Sequence, residues 1–129
     1  MLARYTMYRR RPADAGPLPE GIRQDTRWRT KHLLRPSQAI VEAFLAEPNE
    51  AAWTRFCKAY RALLQERFAS EKQAFRDLAA LATTNDVYLG CNCPTQKNPN
   101  VSHCHTVLAL AFMRDHFPAL DVRLPPRDA

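Results

Sequence analysis

Trp53, Phe56, Cys57, Tyr60, Leu63, Leu64 and Phe68 recur at helical spacing, the strongest periodic signal in the chain. A stripe this long predicts a helix over 50–69 whose apolar face must be covered by another layer. Asn49 is placed to cap it, and Pro48-Asn49 stops the helix before it. That earlier helix is expected over 37–47, with Ser37 as N-cap and Ile40, Val41, Phe44 and Leu45 on one face. Ser70 reads as a fresh cap for a third helix over 71–82 carrying Phe75, Leu78 and Leu81. Cys57 falls on the apolar face and is assigned to the core.

Beyond Thr83-Thr84-Asn85 the pattern changes. Val87-Tyr88-Leu89 is a short β-rich run that fits a buried strand. Pro94 to Asn100 is a polar loop, and a closing helix is expected over 103–117, with Val107, Leu108, Ala111 and Phe112 facing inward and Pro118 ending it. Leu120, Val122 and Leu124 alternate with polar residues and suggest a last strand. At the other end, Ala3 to Tyr8 reads as a first strand, followed by loop chemistry from Arg11 to Gly21. Strands alternating with helices predict a single α/β domain over 1–129, with a small, mainly parallel sheet flanked by helices. Its parts are a basic strand-and-loop segment (1–36), a helical segment (37–83) and a strand–loop–helix–strand segment (84–124). A chain of 129 residues that is 46% hydrophobic can close one core and is not disordered throughout.

Chemistry concentrates at Gly90-Cys91-Asn92-Cys93 and at His103-Cys104-His105. In extended backbone Cys91 and Cys93 leave the same face. Cys104 is expected in the first turn of the closing helix, with Ser102 capping, where the helix dipole favours a thiolate. Gly90 would give the backbone freedom for a ligand to approach closely. Three readings fit. The first is a metal, zinc, held by Cys91, Cys93, Cys104 and one of His103 and His105, although C-x-C is a less typical spacing than C-x-x-C. The second is a metal-free catalytic or redox site with Cys104 as thiolate and His105 or His103 as base. The third makes the cysteines small buried hydrophobes. The three glycines build neither a dinucleotide fingerprint nor a phosphate-binding loop, and H-E-x-x-H and G-x-S-x-G do not occur. Whether the protein is an enzyme, and its oligomeric state, stay open at this point.

The formal charge of +6 is concentrated at one end: residues 1–36 hold nine Arg or Lys against three Asp or Glu, and the remainder cancels. Arg9, Arg10, Arg11, Arg27 and Arg29 are the candidate contacts to a small anion or to nucleic acid, with Tyr5, Tyr8 and Trp28 as stacking surfaces. The alternative is a solvated arm. The N-terminus lacks the look of a signal peptide, and the longest apolar run, Val107 to Met113, is too short to span a bilayer. A cytoplasmic setting with reduced thiols, away from membranes, is the expectation.

Pro36-Ser37 leading into a helix, then Trp53-x-x-Phe56-x-x-x-Tyr60-x-x-x-Leu64, then Leu78-x-x-Leu81 ahead of the strand and last helix, resembles the uncharacterised bacterial YeaO-like domain family over about residues 22–113. Val87-Tyr88-Leu89-Gly90-Cys91-Asn92-Cys93 with Cys104-His105 is similar to a second uncharacterised family bearing a Leu-Gly-Cys-x-Cys strand followed by Cys-His, over about 87–110. Both resemblances imply a small α/β domain, and neither implies a reaction. Relatives in the wider first family often carry Cys-His-Arg where this chain has Cys104-His105-Thr106, and the YeaO branch lacks the thiols.

Overall fold

The computed structural model describes residues 1–125. Strand β1 (Leu2–Thr6), β2 (Ile22–Asp25) and β3 (Val87–Cys91) form one sheet in the order β1-β3-β2. Both pairings are parallel, with Leu2 and Ile22 facing Val87 and with Thr6 facing Cys91. The chain therefore folds as the expected small parallel α/β domain. β3 is the inner strand, and Val87 and Leu89 are fully buried, as a strand covered on both sides requires. Because all three strands run the same way, their carboxyl ends share one edge of the sheet.

Helices α1 (Gln38–Ala46), α2 (Glu50–Ser70), α3 (Lys72–Thr84) and α4 (His105–His116) follow the sequence periodicity closely. The two local caps form as expected: Ser37 Oγ accepts the Ile40 N–H at 3.3 Å, and Asn49 Oδ1 accepts the Ala52 N–H at 2.8 Å. Ser70 does not cap α3. It is the last residue of α2 and donates back to the Glu66 and Arg67 carbonyls, a competing use of the hydroxyl. The buried ridge of α2 is Ala52, Phe56, Tyr60 and Leu64 at four-residue spacing, so Cys57, one step round the helix, is only half-buried beside solvent. In α4 the inward residues are Ala109, Leu110, Phe112 and Met113. The helix phase is set by the buried His105 and Thr106 at its start, which turns Val107, Leu108 and Ala111 partly outward.

Both chain ends depart from expectation. β1 stops at Thr6, with the Met7 N–H to Cys91 carbonyl bond (2.9 Å) as its last pairing. The Arg11 guanidinium then braces the following loop on the carbonyls of Thr6, Ala15, Gly16 and Pro17. The last strand reduces to a single bridge between Leu2 and Val122. β2 lacks any strand-like pattern in Ile22-Arg23-Gln24-Asp25, and pairing with β3 alone makes it a strand. Gly21, at φ 138°, admits that pairing, because a side chain there would strike the Asp86 carbonyl. Among the described residues no helix is long and apolar enough to cross a membrane.

The segment between β2 and α1 is tied down by buried polar contacts. Tyr60 Oη donates to the Leu34 carbonyl at 2.7 Å. His32 Nδ1 accepts the Leu34 N–H at 3.0 Å, and its Nε2 lies 2.7 Å from Gln24 Oε1. Burial, and behind it the nearby His105, lowers the His32 pKa from 6.5 to about 4. The unfolded chain thus takes this proton near pH 6.5 and the folded protein only near 4, so stability falls as pH drops through that window. Urea unfolding between those limits should show this slope. In His32→Asn, whose amide oxygen can still accept the Leu34 N–H, the slope should flatten; an unchanged slope would assign it to another group.

Candidate functional site

β3 delivers Cys91 at the carboxyl edge of the sheet, Cys93 follows one turn of chain later, and the start of α4 brings Cys104 back to them. The three Sγ atoms lie within 4.8 Å of one another, and those of Cys91 and Cys93 are 3.9 Å apart. Cys91 and Cys104 are buried and Cys93 is half-buried; none is in a disulfide. Cys104 is the N-cap residue of α4 rather than a first-turn residue, and Ser102 lies outside the helix. Gly90 has ordinary backbone angles, and its missing side chain serves packing: a Cβ there would stand 2.7 Å from Met7 Sδ and 2.8 Å from Tyr5 Cε1.

Polar groups around the sulfurs donate to them. Asn98, itself buried, gives an Nδ2–H to Cys93 Sγ at 3.5 Å and another to the His103 carbonyl at 2.6 Å. The Thr106 hydroxyl donates to Cys104 Sγ at 3.1 Å. Behind it the Arg4 guanidinium donates from Nε to Thr106 Oγ1 (2.9 Å), from Nη1 to Thr6 Oγ1 (3.2 Å) and from Nη2 to the Cys93 carbonyl (2.6 Å). Arg4 has no carboxylate partner among the described residues. Hydrogen bonds from the Cys91 and Cys93 thiols hold the Cys104 thiol well below its ordinary value. The same bonds to Cys104 push the Cys91 thiol up, and push Cys93 up to about 11. One negative charge therefore settles first on the Cys104 sulfur.

The two histidines part company. His105 is buried; its Nδ1 lies 4.0 Å from Cys104 Sγ and its Nε2 lies 2.8 Å from Thr26 Oγ1. Thr26 spends its own proton on the Gly90 carbonyl at 3.0 Å, so Nε2 must carry the hydrogen and Nδ1 faces the sulfur with a lone pair. His103 turns the other way, its Nε2 3.2 Å from Glu50 Oε1 and its ring stacked on Trp53 at 4.9 Å. The thiols form the floor of a cleft of about 200 Å³ whose mouth carries Arg27 and Arg29. Arg27 is clamped to Asp25 by several hydrogen bonds, the shortest 2.8 Å, and the exposed Arg29 lies 5.3 Å over the Trp28 ring. Arg9 and Arg10 are exposed and Arg11 is engaged in its loop, all three outside the cleft lining.

Thr26, Thr106, Asn98 and Arg4 were not among the residues the sequence assigned to the thiol site. A signal existed for one: Arg4 and Thr6 alternate on one face of a strand whose partner holds the cysteines. In metal-free protein at neutral pH, nitrogen-15 NMR should find His105 as the Nε2–H tautomer. Thr26→Val keeps the shape and the backbone N–H bond to the Gly90 carbonyl but leaves buried His105 Nε2 without its partner, and should cost about 1–3 kcal/mol in urea unfolding. An Nδ1–H tautomer in the wild type would show that the hydroxyl does not orient the ring.

No curated protein and no solved structure matches the chain. A family described as the active DUF488-N3 subclade (DUF488-N3a) matches residues 5–116, a span that includes the end of β1, all of β2 and β3, helices α1 to α4 and the thiol cluster. The match bears out the likeness to an uncharacterised small-domain family and lends nothing to the second likeness, the one built on Leu-Gly-Cys-x-Cys. With the match running through most of its length, the chain belongs to the DUF488-N3 family.

Proposed function

We propose that the protein binds one soft divalent cation, zinc, through the thiolates of Cys91, Cys93 and Cys104, with the fourth position open to the cleft. The observation that carries this reading is the convergence of the three sulfurs within 4.8 Å. At a Zn–S distance of about 2.3 Å the edge of a sulfur tetrahedron is about 3.8 Å, and the Cys91 and Cys93 sulfurs already stand 3.9 Å apart. Donors from Asn98 and Thr106 suit ionised sulfur. His105 keeps Thr26 through Nε2, and its free Nδ1 lies 4.0 Å from Cys104 Sγ but outside the 4.8 Å group of sulfurs, so it would have to move inward to complete the tetrahedron; His103 would have to leave Glu50. Their placements favour three protein ligands and an open site, the arrangement of catalytic rather than structural zinc. Such a centre supplies Lewis acidity to an oxygen bound in the cleft. The Trp53 to Leu64 helix pattern supports a place near the YeaO-like branch of the family.

A second reading has its own observation. Cys104, His105 and Thr26 stand as nucleophile, base and the group that orients the base, the arrangement of a cysteine enzyme without metal.

Elemental analysis of tag-free protein separates the two. About one zinc per chain is expected, lost on chelation, with each of Cys91→Ser, Cys93→Ser and Cys104→Ser binding less. Saturating zinc at about a thousandfold over its dissociation constant should stabilise the fold by about 4 kcal/mol, read as a rise in Tm of about 15 °C. Acidification below about pH 6 should release the metal as the thiolates take up protons. Protein that takes up no stoichiometric zinc or cobalt overturns the metal reading; rapid iodoacetamide labelling of Cys104 at neutral pH would then favour the second.

A further inference from the structure

The cleft over the thiols has a composition that the metal reading leaves unexplained. Its lining carries two guanidinium groups, Arg27 and Arg29, and no carboxylate. Asp25 holds Arg27 through Nε and Nη2, so the guanidinium is fixed in place while Nη1 has no protein partner among the described residues. Arg29 is exposed and rests on the Trp28 ring. A cation positioned by an aromatic face and another positioned by an ion pair are both ordered before a ligand arrives, which lowers the entropic cost of binding. The amino end of α4 opens onto the same cleft, and its cap residue Cys104 makes no side-chain cap hydrogen bond, so the helix adds partial positive charge. The same lining includes an apolar group, Pro36, Val41, Leu45 and Phe56.

Size narrows the ligand further. Pockets for drug-sized molecules run from about 300 to 1,000 Å³, and this cleft holds about 200 Å³. A dinucleotide does not fit. We propose that the cleft binds a small organic oxyanion, a carboxylate or phosphate monoester with a compact apolar body. Arg27 and Arg29 hold the charged head, and the Val41–Leu45–Phe56 wall covers the body above the thiol floor. This names the ligand class of the centre in the preceding reading and rests on that reading only for the metal beneath; the anion contacts are the protein's own.

Calorimetric titration with phenyl phosphate, benzoate and uncharged benzyl alcohol tests it, on protein in its zinc-loaded and metal-stripped forms. At least one of the two anions should bind and the alcohol should not, with affinity falling as salt is raised. Arg29→Gln, a change at an exposed residue, should weaken anion binding about tenfold, the worth of one charge-assisted hydrogen bond. Arg29→Glu should abolish it. Which anion binds more tightly distinguishes phosphate from carboxylate ligands. The inference is overturned if neither anion binds up to about 10 mM, if benzyl alcohol binds as well as the anions, or if Arg29→Gln binds like the wild type. Zinc uptake without anion binding removes this inference alone. Anion binding to protein that takes up no metal removes the metal reading alone.

Discussion

Everything in this molecule hangs on the double pairing of β3. Its backbone is shared between β1 and β2 along nearly its whole length, so its residues have no freedom to slide without losing both ladders. Cys91 is the last residue of that strand, and its carbonyl still accepts the Met7 N–H. The first sulfur is thus positioned by the sheet. Cys93 lies just beyond the paired region and needs other help, which Asn98, Thr6 and Arg4 give by bonding its sulfur and carbonyl. Cys104 is positioned by a third device, the start of a helix packed on the sheet. Three separate mechanisms converge on one point, and Gly90 makes room for them by leaving its Cβ position to Tyr5 and Met7.

The charge around that point argues for ionised sulfur. A guanidinium lodged among neutral acceptors carries a desolvation cost that hydrogen bonds only partly offset. Arg4 is such a group: a threonine hydroxyl on either side and one carbonyl satisfy its donors, and no carboxylate faces it among the described residues. The Cys104 sulfur lies a single hydroxyl away from it through Thr106. In the proposed centre three thiolates around a divalent cation would carry a net charge of minus one, opposite in sign to the Arg4 guanidinium behind them. Three neutral thiols would leave the arginine uncompensated.

Local physics was legible in the sequence and non-local physics was not. Ser37 and Asn49 cap their helices through residues three positions away, so each cap could be read where it stands. Ser70 failed the same rule, since a serine hydroxyl serves the preceding turn as readily as the next. β2 carries no strand pattern because the pairing with β3 makes it one. The thiol cluster was visible because chain spacing nearly closes it, and the strand end was placed correctly, while the helix starts two residues later than expected, with Cys104 rather than Ser102 as its cap residue. Thr26 was invisible: it meets His105 across 79 positions of chain and sits in a stretch with no motif of its own. The helix phase of α4 slipped because two polar residues, His105 and Thr106, are buried at its start for the sake of the site.

The arginines of the first 36 residues show how much of a formal net charge can be engaged within a fold. Arg4 lies behind the thiols, Arg11 braces a loop on four carbonyls, Arg23 bonds the Pro19 carbonyl and Arg35 the His32 carbonyl. These groups stabilise backbone that the irregular segment leaves without ladder partners, a task suited to a planar group with five donors. A surface that reads nucleic acid through counterion release needs several cations free to meet phosphates together. Here much of the charge is already engaged within the fold. The two guanidinium groups at the cleft mouth, Arg27 and Arg29, are positioned by Asp25 and Trp28 and have one feature in common: both overlook the sulfurs. Much of the basic excess thus resolves into scaffold and a local electrostatic field over the thiol cleft, while Arg9, Arg10 and Lys31 stay exposed outside it.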